Sequence, residues 1–229
     1  SFSMGTAVGA SVVSNTADSD IEAAISGASV TTFGNVDVLA ISELDIHDTK
    51  TAGISGSLRA GVTTNAALAT MKNTVKAGIR DAEIHADTGI VTIKAEAANE
   101  AEATALGGAV GALAVGAMKA EAKLGTAGEE EVVAAVGNDT VIHSAGFRLE
   151  SISNDDIFAD GEALSGGLVG VAGADVDTVT RQDAIARVGD NVDIRTGTLE
   201  IAALKGVVAF DFDLVADSTP TVSNGDIVK

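Results

Sequence analysis

Apolar and polar residues alternate with a period of two along much of the chain. In Val91-Thr92-Ile93-Lys94-Ala95-Glu96-Ala97 the odd positions are apolar and the even ones polar, and Phe147-Arg148-Leu149-Glu150 and Leu199-Glu200-Ile201 follow the same rule. This pattern predicts strands with one face buried and one solvated. Gly, Asn and Asp punctuate the pattern throughout and predict turns between strands. The single proline, Pro220, stands near the end, where the alternation has broken down. Residues 95–123 are rich in Ala and could form helix on propensity alone. The equivalent block elsewhere is β-branched and broken by Gly, so strands are expected there too.

The alternation belongs to a repeat. One block reads Ala24-Ile25-Ser26-Gly27 through Val30, and returns as Gly78-Ile79-Arg80-Asp81 through Ile84. It recurs as Ala135-Val136-Gly137-Asn138-Asp139-Thr140 through Ile142, and again as Arg187-Val188-Gly189-Asp190 through Ile194. From Ile25 to Ile79, Val136 and Val188 the steps in numbering are 54, 57 and 52. A second block precedes the first: Gly5-Thr6-Ala7-Val8-Gly9-Ala10, Gly107-Gly108-Ala109-Val110-Gly111-Ala112 and Gly166-Gly167-Leu168-Val169-Gly170-Val171, with a weaker copy at Gly53–Leu58. The chain thus holds nearly four units, assigned to 1–50, 51–104, 105–163 and 164–206, followed by a divergent segment at 207–229.

A unit of this length divides into three rungs of about 18 residues, each one coil of a parallel β-helix. About twelve such rungs would stack into a rod of roughly 60 Å. The recurring Gly would serve corners that need positive φ. Composition fits a thin, layered body. Hydrophobic residues make up 46 % of the chain, but aromatics only 3 %, with no Trp or Tyr. The core must therefore be built from Ala, Val, Ile and Leu. The expected fold class is all-β, a parallel β-solenoid forming one domain over 1–206, with 207–229 as a cap or assembly segment.

Gly107–Ala122, Val136–Ile142 and Gly89–Ala97 carry a wider likeness. Their Gly-Gly-x-Val-Gly, Ala-x-Val-Gly and Gly-x-Val-x-Ile-x-Ala patterns resemble large repetitive bacterial exoproteins, the filamentous-haemagglutinin and leukotoxin-like adhesins of two-partner secretion. The resemblance covers residues 4–205. It implies a right-handed β-helix, secreted or displayed on a bacterial surface, and a role as adhesin, biofilm-matrix fibre or exoprotein. The family's N-terminal secretion domain and its Asn-Pro signature are not found in this sequence.

Charge narrows the functional classes. Thirty-three acidic and 14 basic residues give a net charge of −19, which repels nucleic acid and anionic lipid. No apolar run reaches the roughly 18 residues of a membrane-spanning helix, so no membrane insertion is expected. The absence of Cys excludes disulfides, thiolate metal sites and Cys nucleophiles. The chain opens and closes in mid-pattern and reads as a piece of something longer or as a processed product.

The site candidates are few. Glu129, Glu130, Glu131, Asp155, Asp156, Asp211 and Asp213 are acidic positions at which weak Ca2+ binding is conceivable, since hard cations favour carboxylate oxygens. No other cofactor and no catalytic residue is expected. His85 and His143 hold the same place in consecutive units, with Thr31 and Arg195 there in the others. Three rungs of separation would set the two histidines about 14 Å apart, too far to share an ion. His47, beside Asp45 and Asp48, reads as a loop residue. Gly137–Val141 resembles a calcium-binding nonapeptide, but its equivalents in other units lack the pattern. Val207–Leu214 alternates strongly and could cap the solenoid or pair with a neighbour.

The expected function is mechanical: a rigid spacer or fibre subunit of an adhesin or matrix protein, with partners in further repeats or in a second copy end to end. A module binding host glycan or surface protein on one face is the alternative. A β-helical polysaccharide lyase or hydrolase is the third reading, to be marked by a cleft with grouped carboxylates.

Overall fold

The computed structural model describes residues 2–125, 131–206 and 227–228. These residues contain no helix, and strands take up nearly all of them. The elements are β1 (Phe2–Ser3), β2 (Thr6–Ser26), β3 (Ser29–Thr31), β4 (Val36–Ser57), β5 (Ala60–Arg80), β6 (Glu83–Val110), β7 (Leu113–Leu124), β8 (Val132–Val136), β9 (Val141–Gly166), β10 (Val169–Thr180), β11 (Ala184–Val188), β12 (Asp193–Lys205) and β13 (Ile227–Val228). The Ala-rich stretch from 95 to 123 lies in β6 and β7, so tertiary pairing overrides its helical propensity.

Two sheets result. One runs β1-β4-β6-β9-β12, with β3 also on β6. The other runs β10-β7-β5-β8-β11-β13, with β2 also on β5. Every described pairing is parallel except that of β13, which lies antiparallel on β11. The chain passes from one sheet to the other at each end of a long strand, and each pass adds a strand beside the last.

The ladders reproduce the sequence repeat. Ile25 pairs with Ile79, Ile79 with Val136, and Val136 with Val188. Val30, Ile84, Ile142 and Ile194 form a second column. Each residue therefore meets its equivalent one whole repeat away, as Thr6 meets Ala60 and Val36 meets Val91. The expected rung of about 18 residues does not describe these ladders. A 21-residue strand such as β5 has a contour of about 70 Å, whereas four stacked strands span only about 15–20 Å. The unit is long because each of its two faces is long.

Alternation decides what is buried. In β5 every odd position from Gly61 to Ile79 is buried and every even one is not. The interior so formed has two apolar clusters. One holds Val75, Ile79, Ile84, Ile93, Phe147 and Leu149 among others. The second is mostly Ala, with Ala67, Ala69, Ala101, Ala103, Ala120 and Ala122 around Met71, Met118 and Leu124. Small side chains on both faces let the two sheets approach closely, which accounts for a core almost free of aromatic rings.

The corners use a different device from the one expected. Gly27, Asp81, Asp139 and Asn191 occupy one corner position in four successive units, with φ of 61°, 49°, 52° and 57°. Asp and Asn tolerate this left-handed conformation better than other side-chain-bearing residues. Most other glycines serve close approach instead. A Cβ on Gly167 would lie 1.7 Å from the carbonyl oxygen of Gly111 in the neighbouring unit. Substituting Asp81→Val should therefore cost about 1–2 kcal/mol in urea denaturation, because a β-branched residue is strained in that conformation, while Asp81→Gly stays within a few tenths.

Candidate functional site

Halfway along the strands, polar chemistry gathers on both sides of one sheet. The cause is local. In the third unit the second sheet is interrupted between β7 and β8, and in the fourth between β10 and β11. Gly125, the last residue described before the first break, has a φ of +81°. Strand β5 continues through the gap, so the backbone and side chain of Asn73 need other partners. Gln182, from the matching break in the fourth unit, supplies one: its Nε2 donates to the Asn73 carbonyl at 3.1 Å. Asn73 Nδ2 donates to Asn99 Oδ1 at 2.7 Å, and Asn99 Nδ2 donates to Gln182 Oε1 at 2.9 Å and Asp155 Oδ1 at 2.8 Å. Ser153 Oγ donates to both Asp155 oxygens, at 3.0 and 3.2 Å. This polar belt crosses the interior between the two apolar clusters.

On the outer face of the same strands, Asp45, Glu100 and Asp156 stand in one column across β4, β6 and β9. His47 lies between two of these carboxylates. Its Nε2 is 2.7 Å from Asp45 Oδ2 and its Nδ1 is 3.4 Å from Glu100 Oε1. Asp45, His47 and Glu100 are exposed, and their ligating atoms lie within 4.8 Å of one another. Asp45, Glu100 and Asp156 line a shallow groove of about 450 Å³, together with Glu43 and Asn154. His47 is thus a strand residue, not a loop residue. It sits in a bulge where register shifts between Ile46 and Thr49 and where Asp48 adopts φ of 56°. Lys50 closes the bulge by bonding Asp48 and by pairing with Glu102 at 3.2 Å. The hydrogen bond from Lys50 holds the Asp48 carboxyl below its ordinary range, and the bonds to Asp48 and Glu102 raise the Lys50 ammonium above its own.

Three of the acidic residues singled out from the sequence, Glu131, Asp155 and Asp156, lie among the described residues. Asp155 and Asp156 point to opposite faces, as neighbours in a strand must, so they do not act as a pair. Asp155 belongs to the interior belt and Asp156 to the outer column. Glu131 is fully buried. Glu129, Glu130, Asp211 and Asp213 lie outside the described residues, as does the Val207–Leu214 segment. Asn138 and Asp139, the core of the nonapeptide-like stretch, are spent on the neighbouring unit: Asn138 Oδ1 accepts from Asp190 N at 2.8 Å and Asp139 Oδ1 from Asn191 Nδ2 at 3.0 Å.

His85 and His143 are direct ladder partners, with ring centroids 4.8 Å apart at an interplanar angle of 89°. The expected separation of about 14 Å fails because it assumed three rungs per repeat. The Asp45–Glu100–Asp156 column was equally present in the sequence, since its members are offset by one repeat each. Asn73, Asn99 and Gln182 gave no comparable signal, since only the break in two strands makes them partners. No protein-family model, no curated protein and no solved structure matches this chain.

A grouped-carboxylate groove was the expected mark of a polysaccharide-cleaving enzyme. The groove at Asp45 carries the carboxylates, but among the described residues no Lys, Arg or aromatic residue lines it.

Two outcomes follow from this chemistry. Asn99→Ala removes the acceptor of Asn73 Nδ2 and the donor to Gln182 Oε1 and should lower stability by about 1–3 kcal/mol in urea denaturation. Further along, Glu150 is pushed above its ordinary carboxyl range by burial, with Glu200 adding to the shift and Arg148 and Lys94 opposing it. The folded state then holds that proton more tightly than the unfolded one. The resulting stability is fully present below the ordinary value of 4.5 and is lost as pH rises through the raised value. Glu150→Gln should raise the melting temperature by about 1–3 °C at neutral pH and leave it unchanged in acid.

Proposed function

We propose that this chain is a structural segment of a secreted or surface-displayed bacterial adhesin or extracellular-matrix fibre, a parallel β-solenoid acting as a rigid spacer or fibre subunit. The observation that carries this reading is the ladder of whole repeats. Columns such as Thr6–Ala60–Leu113–Val169 run from one open edge of the second sheet to the other. A body built by adding equivalent strands has no intrinsic end, and extension by more repeats or by another copy uses the same bonds. The acidic exterior and the likeness to repetitive adhesins support display outside the cell.

Strand β10 is the edge at which extension is expected. It pairs only with β7 among the described strands, and it is exposed on both faces, with Val169 and Val171 more than half exposed. Strand β2 forms the opposite edge and carries the same Val-Gly motif. Its neighbour-to-be is thus a homologue of the strand that β10 already accepts. Beside β10, β13 covers β11 in antiparallel sense. An antiparallel cap over part of an edge limits pairing there and leaves β10 as the accepting half.

The chain has no Cys, which makes the arrangement testable. In the double variant Thr6→Cys/Val169→Cys the two sulfurs lie three strands apart within one molecule, about 14 Å, beyond disulfide reach, but on adjacent strands between copies stacked in register. Oxidation should give a disulfide-linked series on a non-reducing gel, and electron microscopy should show end-to-end particles. A product that stays monomeric at high concentration would sink the self-assembling reading.

A second reading, a module that binds a host protein, draws on one feature. An apolar groove of about 490 Å³ on the outer face is floored by Gly53, Gly107, Gly108 and Gly166 and walled by Ile54, Leu106, Val110 and Leu164. It has the shape for an extended apolar segment rather than a sugar.

A further inference from the structure

The outward column Thr31–His85–His143–Arg195 places two imidazoles side by side on β6 and β9. From this pair we infer a binding site for one divalent transition-metal ion, of the Cu2+ or Zn2+ kind, held by His85 and His143.

Three observations support it. The first is distance. An ion bound in the plane of an imidazole lies about 2.0–2.1 Å from nitrogen and so about 3.2 Å from the ring centre; two rings meeting the ion at about 90–109° have centres about 4.5–5.2 Å apart. The His85 and His143 centroids are 4.8 Å apart. The second is tautomer. His85 Nε2 lies 2.8 Å from Glu83 Oε1. With Nε2–H donating to that carboxylate, the Nδ1 lone pair is left for a metal, in the carboxylate–imidazole arrangement that orients metal-bound histidines. The third is an unused nitrogen. His143 Nε2 is sheltered from solvent and has no hydrogen-bond partner. A sheltered polar atom without a partner is uncommon in folded proteins, and a metal ion would satisfy it.

The surroundings do not oppose the ion. Arg195, next in the column, is turned to its own strand: its guanidinium bonds Asp193 at 2.8 and 3.3 Å. Glu83 adds a negative charge beside the pair. Nitrogen ligands select borderline and soft cations over Ca2+ and Mg2+, which separates this site from the carboxylate-rich groove at Asp45.

The test is titration of the whole chain with Cu2+ and Zn2+ by calorimetry, with electron paramagnetic resonance of the Cu2+ form. The expected result is one ion per chain, a two-nitrogen coupling pattern, and no displacement by a hundredfold excess of Ca2+. His85→Asn and His143→Asn should each weaken binding at least tenfold, with the circular-dichroism spectrum unchanged because both side chains face outward. His47→Asn should leave binding as it was. Absence of binding to the parent chain would overturn the inference. So would undiminished binding by the His85→Asn/His143→Asn double variant, or loss of binding in His47→Asn, which would place the ion at Asp45–His47–Glu100.

Discussion

The described strands other than β13 satisfy their backbones against a copy of themselves one repeat away. The parallel ladder between equivalent residues is the interaction on which the rest of the molecule depends. A lone unit would expose two long strands with unpaired amide and carbonyl groups and a half-covered apolar face. Stacking removes both penalties together, and it works only if corresponding residues stay aligned. A one-residue slip would turn every inward side chain outward. The bulge between Ile46 and Thr49 and the shift between Ala86 and Ile90 show the tolerance allowed, since both are absorbed within a single strand.

Alignment imposes columns, and the columns determine the chemistry. Inward columns of Ala, Val and Ile make a thin two-layer core. Where two strands break, inward positions on both sheets hold Asn73, Asn99 and Gln182 instead of apolar residues, and their mutual bonds replace the missing ladder. A polar belt of this kind is tolerable because its members bond one another. It also separates the apolar interior into two clusters, so the sheets are pinned at mid-length by directional bonds and at either side by packing.

The same alignment acts on the outer face. It sets Asp45, Glu100 and Asp156 in a row, places a histidine between two of them, and brings His85 against His143. The carboxylates of the row, and the two histidines of the pair, come from different units, far apart in sequence. Their proximity follows from the repeat length alone, so an outward substitution in one unit changes the electrostatics of its neighbours as well. The corners obey the rule too: four units place Gly27, Asp81, Asp139 and Asn191 at one left-handed position, a choice of residue types made by backbone sterics.

The amino-acid sequence by itself determined the strand character, the inward and outward positions, and the spacing that later proved to be the ladder register. Period-two alternation specifies the face of each residue because successive side chains in a strand point to opposite sides. Repeat spacing specifies partners because equivalent residues stack. Ile25, Ile79, Val136 and Val188 were aligned on spacing and are paired in space. Only the tertiary structure decided how a unit is folded back on itself. Gly and Asx residues offer more possible corners than the chain uses, and alternation is the same for a short strand as for a long one. The choice between three short faces and two long ones rests on hydrogen bonds between residues a whole repeat apart. That choice brought the two histidines, expected at three rungs' separation, into contact. It also put Asp155 inside and Asp156 outside, and made partners of Asn99 and Gln182, which no local pattern connects.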